Sequence, residues 1–543
     1  LFHRDVVVDV VCYRRYGHNE GDQPRYTQPL MYRKIDSHDT VLRQYGNSLK
    51  ASGRLSDESL KAQVAKKDEA YRTAFAVVGG GGSWVKKAWT EPTSVFVPPS
   101  EGSPAMPSAA AAIDQIIADD ASKLLGVPSA ASGFTAHPTV AKVLAKRLAN
   151  FQAGKGLEWA AAEQLAFATI LNAGHSVRLA GQDVERGTFA QRHYVLHDYK
   201  TDATYCSLAA LAEGLPKNPA DGKKPTFTVC NSLLSEFAAA GFEFGYSFAR
   251  PTDLVMWEAQ FGDFANGAQP IWDQFLSSCE AKWGQLDNLV VSLPHGYDGQ
   301  GPEHSSARIE RFLQLSDTCE SVPKDFPINH PAASEHRIRE SNIQVCFPST
   351  PASYFHLLRR QVLRPAGLYK PLINFFSKAY LRDPNTSTVD DLKTGQFQPV
   401  LDDPRWTGKN LRAVRKIVVC SGQIFHDINL AKEFSGTAAG SESVAFIRLE
   451  QLAPFPWEEV VHALKPYVAA NPAVRIAFAQ QEPRNMGPFP FVRRRLSGAM
   501  KLAGAPGTTA LEYVGRASAA SPATGFQFMH DAEVSAILNN ILS

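Results

Sequence analysis

Short apolar runs that read as buried strands alternate with helical patterns between residues 159 and 293, and this alternation restricts the chain more than any other feature. A helical pattern from Trp159 to Leu171 precedes a strand at Val177-Arg178-Leu179. A helix from Ser235 to Phe248, a strand from Leu254 to Glu258, a helix from Gln269 to Cys279 and a strand from Leu289 to Leu293 follow. Strands that are apolar on both faces belong to parallel sheets covered by helices. The expected fold is therefore α/β, with doubly wound parallel sheets and helices on both faces.

The same grammar recurs further on, with strands at Leu372 to Phe376, Ile417 to Cys420, Val444 to Ile447 and Ile476 to Ala479, and helices at Ser353 to Leu363 and Pro456 to Leu464. No short-period repeat is present, which sets aside solenoids and propellers. At the start, Val6 to Val11 reads as one more buried parallel strand, and a charged helical stretch from about Met31 to Val78 follows it up to Gly79-Gly80-Gly81-Gly82. The parallel neighbours of that first strand are expected among residues preceding Leu1. From Gly82 to about Ala153 the chain is rich in Ala, Pro and Ser and reads as a surface linker. Four regions result: 1–83, a linker at 84–153, an α/β domain at 154–345 and a second α/β domain at 346–543.

With 56 Lys plus Arg against 54 Asp plus Glu in 543 residues, the chain has no charge surplus that would call for nucleic acid or an anionic membrane. Its seven cysteines form no C-x-x-C pair and read as free thiols in a reducing compartment. No apolar run reaches the roughly 20 residues of a membrane span.

In an open α/β sheet, ligands bind beyond the carboxyl ends of the strands, so the loops there are the first candidates for chemistry. Leu293-Pro294-His295-Gly296-Tyr297-Asp298-Gly299-Gln300-Gly301-Pro302-Glu303-His304 follows a strand directly and offers close backbone approach with two histidines that can move protons near neutral pH. Asn231-Ser232-Leu233-Leu234-Ser235-Glu236 opens a helix; Glu236 there suits the helix dipole, and simple capping explains it equally well. Trp257-Glu258-Ala259-Gln260-Phe261-Gly262-Asp263-Phe264 ends the next strand, where rings and carboxylates would face the same crevice. Tyr13 to Asp22, with Arg14, His18 and Asn19, suits an anionic ligand, and Gly181 to Phe189 is either a cleft-lining loop or a solvated connection. No cysteine or further histidine stands at zinc-ligand spacing.

The phrases CYRRYGHNEGDQPRYTQPLMYRKI, GQDVERGTFAQRH, NSLLSEFAAAGFEFGY, WEAQFGDFANGAQ, LPHGYDGQGPEHSSARIERFLQL and FHLLRRQ, in this order, closely resemble the 2-oxoglutarate dehydrogenase family. The resemblance implies a transketolase-like architecture in which residues 1–83 are the tail of a diphosphate-binding domain, 154–345 a pyrimidine-binding domain and 346–543 a carboxy-terminal domain. It implies thiamine diphosphate and Mg²⁺ as cofactors. Glu236 matches the glutamate that hydrogen-bonds the pyrimidine ring, and Phe264 the aromatic residue stacked on that ring, with Phe261 the weaker candidate. His304 matches an active-site histidine, His295 is expected to share its cleft, and His18 matches a histidine bordering the diphosphate.

The implied reaction is oxidative decarboxylation of 2-oxoglutarate with reductive succinylation of a lipoyl group on dihydrolipoamide succinyltransferase, carried out by a homodimer in the mitochondrial matrix. The family's magnesium motif, a Gly-Asp-containing loop followed by an asparagine, is not found here, so no metal ligand is assigned to this chain and the ligands are expected before Leu1. Where many relatives carry a Lys-Ser-Leu-Leu-Arg-His run, this chain has Lys378-Ala379-Tyr380-Leu381-Arg382-Asp383. A 2-oxoadipate dehydrogenase and a non-catalytic structural subunit are the alternative readings. Arg493-Arg494-Arg495 reads as a solvated basic turn.

Overall fold

The computed structural model describes residues 6–17, 28–79, 108–129, 132–201, 203–218, 222–321, 333–364, 368–381, 386–434 and 441–542. Contacts divide the chain into two units, Leu1–Ala88 and Trp89–Ser543. In the first, the charged stretch forms three helices, Pro29–Ser37, Val41–Ala51 and Asp57–Gly79. Thr40 separates the first two by capping the second, accepting a hydrogen bond from the Arg43 N–H. Val6 to Val11 do not form the buried strand expected of them. They pair with no other strand among the described residues, and Val7 and Val11 are more than nine-tenths exposed. An apolar run becomes a strand only when a neighbour takes up its backbone groups.

The second unit corrects the reading of 84–153 as a linker. Residues 84–107 lie outside the described residues, but helices Ala110–Ala118, Ser122–Leu125 and Pro138–Gln152 follow and bury Ile113, Ile116, Leu124, Leu125, Leu144 and Phe151. Alanine-rich composition suited a linker, whereas the helical spacing of Ile113 and Ile116 decides the outcome. The next helix, Trp159–Asn172, is buried all round from Trp159 to Leu171 and runs through the core against the helix Pro351–Leu363.

Fourteen strands are present among the described residues: β1 (Val177–Gly181), β2 (Val195–His197), β3 (Thr204–Cys206), β4 (Phe227–Asn231), β5 (Leu254–Glu258), β6 (Val290–Pro294), β7 (Gln344–Cys346), β8 (Leu372–Phe376), β9 (Val400–Leu401), β10 (Lys416–Cys420), β11 (Val444–Leu449), β12 (Gln451–Ala453), β13 (Arg475–Pro483) and β14 (Leu511–Arg516). A seven-stranded sheet has the order β12-β7-β8-β6-β5-β1-β4, and a five-stranded sheet the order β14-β13-β10-β11-β9. Both are parallel apart from one antiparallel edge strand each, β12 and β9. β2 and β3 form a small hairpin.

β8, assigned from sequence to the second α/β domain, lies in the middle of the first sheet, paired with β6 and β7. This strand and β7 thus extend the first sheet beyond the expected division at residue 345. β12 reaches back from the second layer to finish its edge. Within the seven-stranded sheet the chain runs outward from β1 to β4, then returns to the other side of β1 as β5. Strand order therefore reverses between β1 and β5, and a crevice is expected beyond their carboxyl ends. Among the described residues no helix is long and apolar enough to cross a membrane.

Candidate active site

Glu236 is placed by two loops. Beyond β4 the Asn231 carboxamide accepts the Glu185 N–H at 3.1 Å, and the Ser232 N–H donates to the Gly181 carbonyl at 2.7 Å, so the loops after β4 and β1 are tied together. Ser235 then caps the helix Glu236–Ala249 by accepting from Ala238 N–H, which sets Glu236 in the first turn where the helix dipole favours its charge. The side chain is half-buried. Its Oε1 takes only a long 3.5 Å contact from the Gln182 amide, and its Oε2 lies 3.6 Å from where a Cβ on Gly267 would sit.

Gly267 belongs to the short helix Gly262–Ala268, which follows β5 and carries Phe264. That helix can approach β6 only because residue 262 is glycine: a Cβ there would overlap the Pro294 carbonyl and the Ala307 side chain. Phe261, Phe264 and His304 form an edge-to-face cluster, with centroids 5.6 Å apart for the two phenylalanines, 4.5 Å for Phe261 and His304, and 6.0 Å for Phe264 and His304. All three are half-buried. Phe261, Phe264 and His304 are therefore brought together, and Glu236 meets, at Gly267, the short helix that carries Phe264.

His295 is not part of this group. It is 2% exposed, its Nε2 bonds Glu482 Oε1 at 2.9 Å, and its Nδ1 accepts the Ala307 N–H at 3.0 Å. A ring with both nitrogens engaged in the interior holds structure rather than facing a ligand, which corrects the expectation that it shares the cleft. His18 and Arg382 lie outside the described residues.

Three features escaped the sequence reading. Glu258, expected to face the crevice, is buried instead: Arg192 bonds both it and Glu163, which also accepts the hydroxyls of Tyr194 and Tyr354 at 2.7 Å each. Burial works against the Glu163 charge, but Arg192 and the two hydroxyls outweigh it and hold its carboxyl below the usual range, whereas burial raises that of Glu258. Asp263 is also buried, with Oδ2 lacking a hydrogen-bond partner; burial pushes its carboxyl up to about 6 despite His295, Arg308 and Lys378 nearby. Lys378 donates to Gln300 Oε1 at 2.9 Å and to the His304 carbonyl at 2.6 Å. Only the retained basic end of β8 hinted at Lys378; the partners of Arg192 are too distant in sequence for any local pattern to reveal.

A crevice at a switch point, opened by a glutamate after one strand and an aromatic pair after the next, is the layout of a transketolase-type pyrimidine-binding domain. The family model for the transketolase pyrimidine binding domain matches residues 155–384, that for the 2-oxoglutarate dehydrogenase C-terminal region matches 386–542, and that for the dehydrogenase E1 component matches 1–78. The chain belongs to the 2-oxoglutarate dehydrogenase E1 family. It is 39% identical over 549 residues to the mitochondrial 2-oxoglutarate dehydrogenase of Saccharomyces cerevisiae, covering 99% of this chain and 51% of that protein. It is 42% identical over 540 residues to the 2-oxoglutarate dehydrogenase E1 component of Azotobacter vinelandii, covering 97% and 51%. The mitochondrial protein of Dictyostelium discoideum is 40% identical over 550 residues, with 100% and 51% covered. The chain thus spans about half the length of these curated relatives. The matched boundary between 384 and 386 agrees with the place of β8 in the first sheet.

Proposed function

We propose that this chain supplies the pyrimidine-side half of an active site that decarboxylates 2-oxoglutarate and passes the succinyl group to a lipoyl group on dihydrolipoamide succinyltransferase. The observation that carries the reading is the juxtaposition of Glu236, Phe264 and His304. Thiamine diphosphate, when bound, supplies the nucleophilic carbon and the electron sink that decarboxylation of a 2-oxo acid needs. The residues present fit its ring end. Among the described residues the Glu236 carboxylate has one weak contact, from Gln182, which leaves it able to accept a hydrogen bond from an N–H, and half-buried Phe264 is an apolar neighbour suited to an aromatic ring.

Glu236 would hold the proton that must leave and return during turnover. Phe264 and Phe261 would exclude water from the ring, and His304 would meet the carboxylate or oxygen of the substrate. Among the described residues no group of three His, Cys, Asp or Glu could hold a metal ion; Mg²⁺ and the diphosphate are proposed to sit on residues outside this chain, with His18 at the border.

The active unit is proposed to be a homodimer. Leu233, Leu234, Phe237 and Phe242 flank Glu236 and are exposed, Leu233 fully so, and exposed apolar patches of this kind mark interaction surfaces. A mitochondrial matrix location is proposed from the names of the yeast and Dictyostelium relatives. In the full-length protein, Glu236→Gln is expected to lower decarboxylation of 2-oxoglutarate by about 10²- to 10⁴-fold. Unchanged turnover would overturn the reading. Faster turnover on 2-oxoadipate would reassign the substrate, since one methylene is worth roughly 1–3 kcal/mol.

A further inference from the structure

The loop that carries His304 is held from outside its own sheet. Gln423, at the carboxyl end of β10 in the five-stranded sheet, is 4% exposed. Its Oε1 accepts the Ser377 hydroxyl at 2.5 Å and its Nε2 donates to Asp298 Oδ1 at 2.6 Å. Asp298 in turn lies 3.8 Å from the Lys378 ammonium, which donates to the His304 carbonyl and sits 5.4 Å above the Phe261 ring. A polar chain therefore runs from Gln423 through Asp298 and Lys378 to the backbone of His304. Gly296 rests so closely on Gln423 that a Cβ would collide with its amide oxygen. Two further ties come from the same layer: His295 to Glu482, and the Tyr297 hydroxyl to the Pro522 carbonyl at 2.7 Å.

We propose that Gln423 is a positioning residue for His304, so that the carboxy-terminal layer sets the geometry of the crevice. This rests on the reading of Glu236, Phe264 and His304 as the reacting site. The physical reason is that the two residues that grip the loop, Gln423 and Lys378, are themselves buried and therefore fixed, while the Asp298 they hold is exposed and has no other anchor in this chain of bonds. Removing Gln423 takes away the acceptor of the buried Ser377 hydroxyl and leaves Asp298 only its 3.8 Å approach to Lys378 among these ties, so the loop is free to shift. A shift of about 1 Å in a group that meets the substrate can cost on the order of 10²-fold in rate.

The test uses the full-length protein. Gln423→Leu and Gln423→Glu are each expected to lower kcat for 2-oxoglutarate by about 10- to 100-fold, while KM changes little. Hydrogen exchange at the amides of residues 295–306 is expected to quicken in both. Asp298→Asn added to Gln423→Glu restores an amide facing a carboxylate with reversed polarity, and is expected to recover both kcat and amide protection in part. Wild-type kcat in Gln423→Leu would overturn the proposal. So would a loss that the paired substitution does not relieve, because packing alone would then explain it. Glu236→Gln in the same assay separates the two levels of inference. If it abolishes turnover while the Gln423 variants are normal, only the positioning role fails; if it leaves turnover intact, the assignment of the site itself fails.

Discussion

Glu236 follows β4 and Glu258 ends β5, on either side of the place where strand order reverses in one sheet, yet their surroundings are opposite. Glu258 is 2% exposed and bound to Arg192, which also holds Glu163. Each carboxylate of that triad is met by donors from the protein, and nothing in it is left for a ligand. Glu236 keeps one long contact, to Gln182, and a half-open face. A buried charge survives by being fully paired, whereas a charge that acts on a ligand must keep a vacant hydrogen-bonding position. The same residue type therefore serves architecture at the end of β5 and, in the proposed function, recognition beyond β4, with β1 between the two strands.

The contrast is testable by its separation of activity from stability. The largest effect is expected for Glu236→Gln, which should cost the rate stated above while shifting unfolding free energy by no more than about 0.5 kcal/mol, the usual bound for a surface change; a large loss of stability would mean that the carboxylate is structural. Arg192→Met should behave oppositely, destabilising the fold by about 3–5 kcal/mol because two carboxylates are left buried and uncompensated. Urea unfolding measures it, and a variant as stable as the parent would remove the architectural role of the triad.

Tyr354→Phe deletes one donor to Glu163 and is expected to cost roughly 1–3 kcal/mol. A value near zero would show that Tyr194 and Arg192 alone satisfy that carboxylate. The smallest effect concerns Asp263, whose carboxyl burial raises from 3.8 to about 6. The folded state binds this proton more tightly than the unfolded one, so the stability it contributes is complete below the unfolded value and is lost as pH rises through about 6. Asp263→Asn should therefore flatten the decline in stability across that window relative to the parent. Parallel pH profiles for the two proteins would exclude the raised carboxyl.

Legibility followed the range of the interactions. β5 at Leu254–Glu258 and β8 at Leu372–Phe376 fall where the apolar runs place them, and Ser235 and Glu236 open their helix as the capping pattern implies. The membership of β8 in the first sheet was not legible, since a strand's own residues do not name its neighbours. Ile113 and Ile116 were hidden by Ala-rich surroundings, and Val6 to Val11 shows the converse, a strand-like run that pairs with no strand among the described residues. His295 looked like a cleft residue because it stands beside His304 in sequence. Its bond to Glu482, 187 residues away, decides otherwise.

From the order of residues alone came the α/β class and the positions of the strands that flank the proposed site, because periodicity, caps and strand-end loops are local and leave local marks; Glu236, Phe264 and His304 entered as candidates through the family resemblance of their motifs. The tertiary structure alone decided which carboxylates are open and which are locked, which histidine faces the crevice, and that Gln423 of the second layer grips the loop of the first. Those outcomes depend on partners far apart along the chain, and charge pairing and burial arise only when folding brings such partners together.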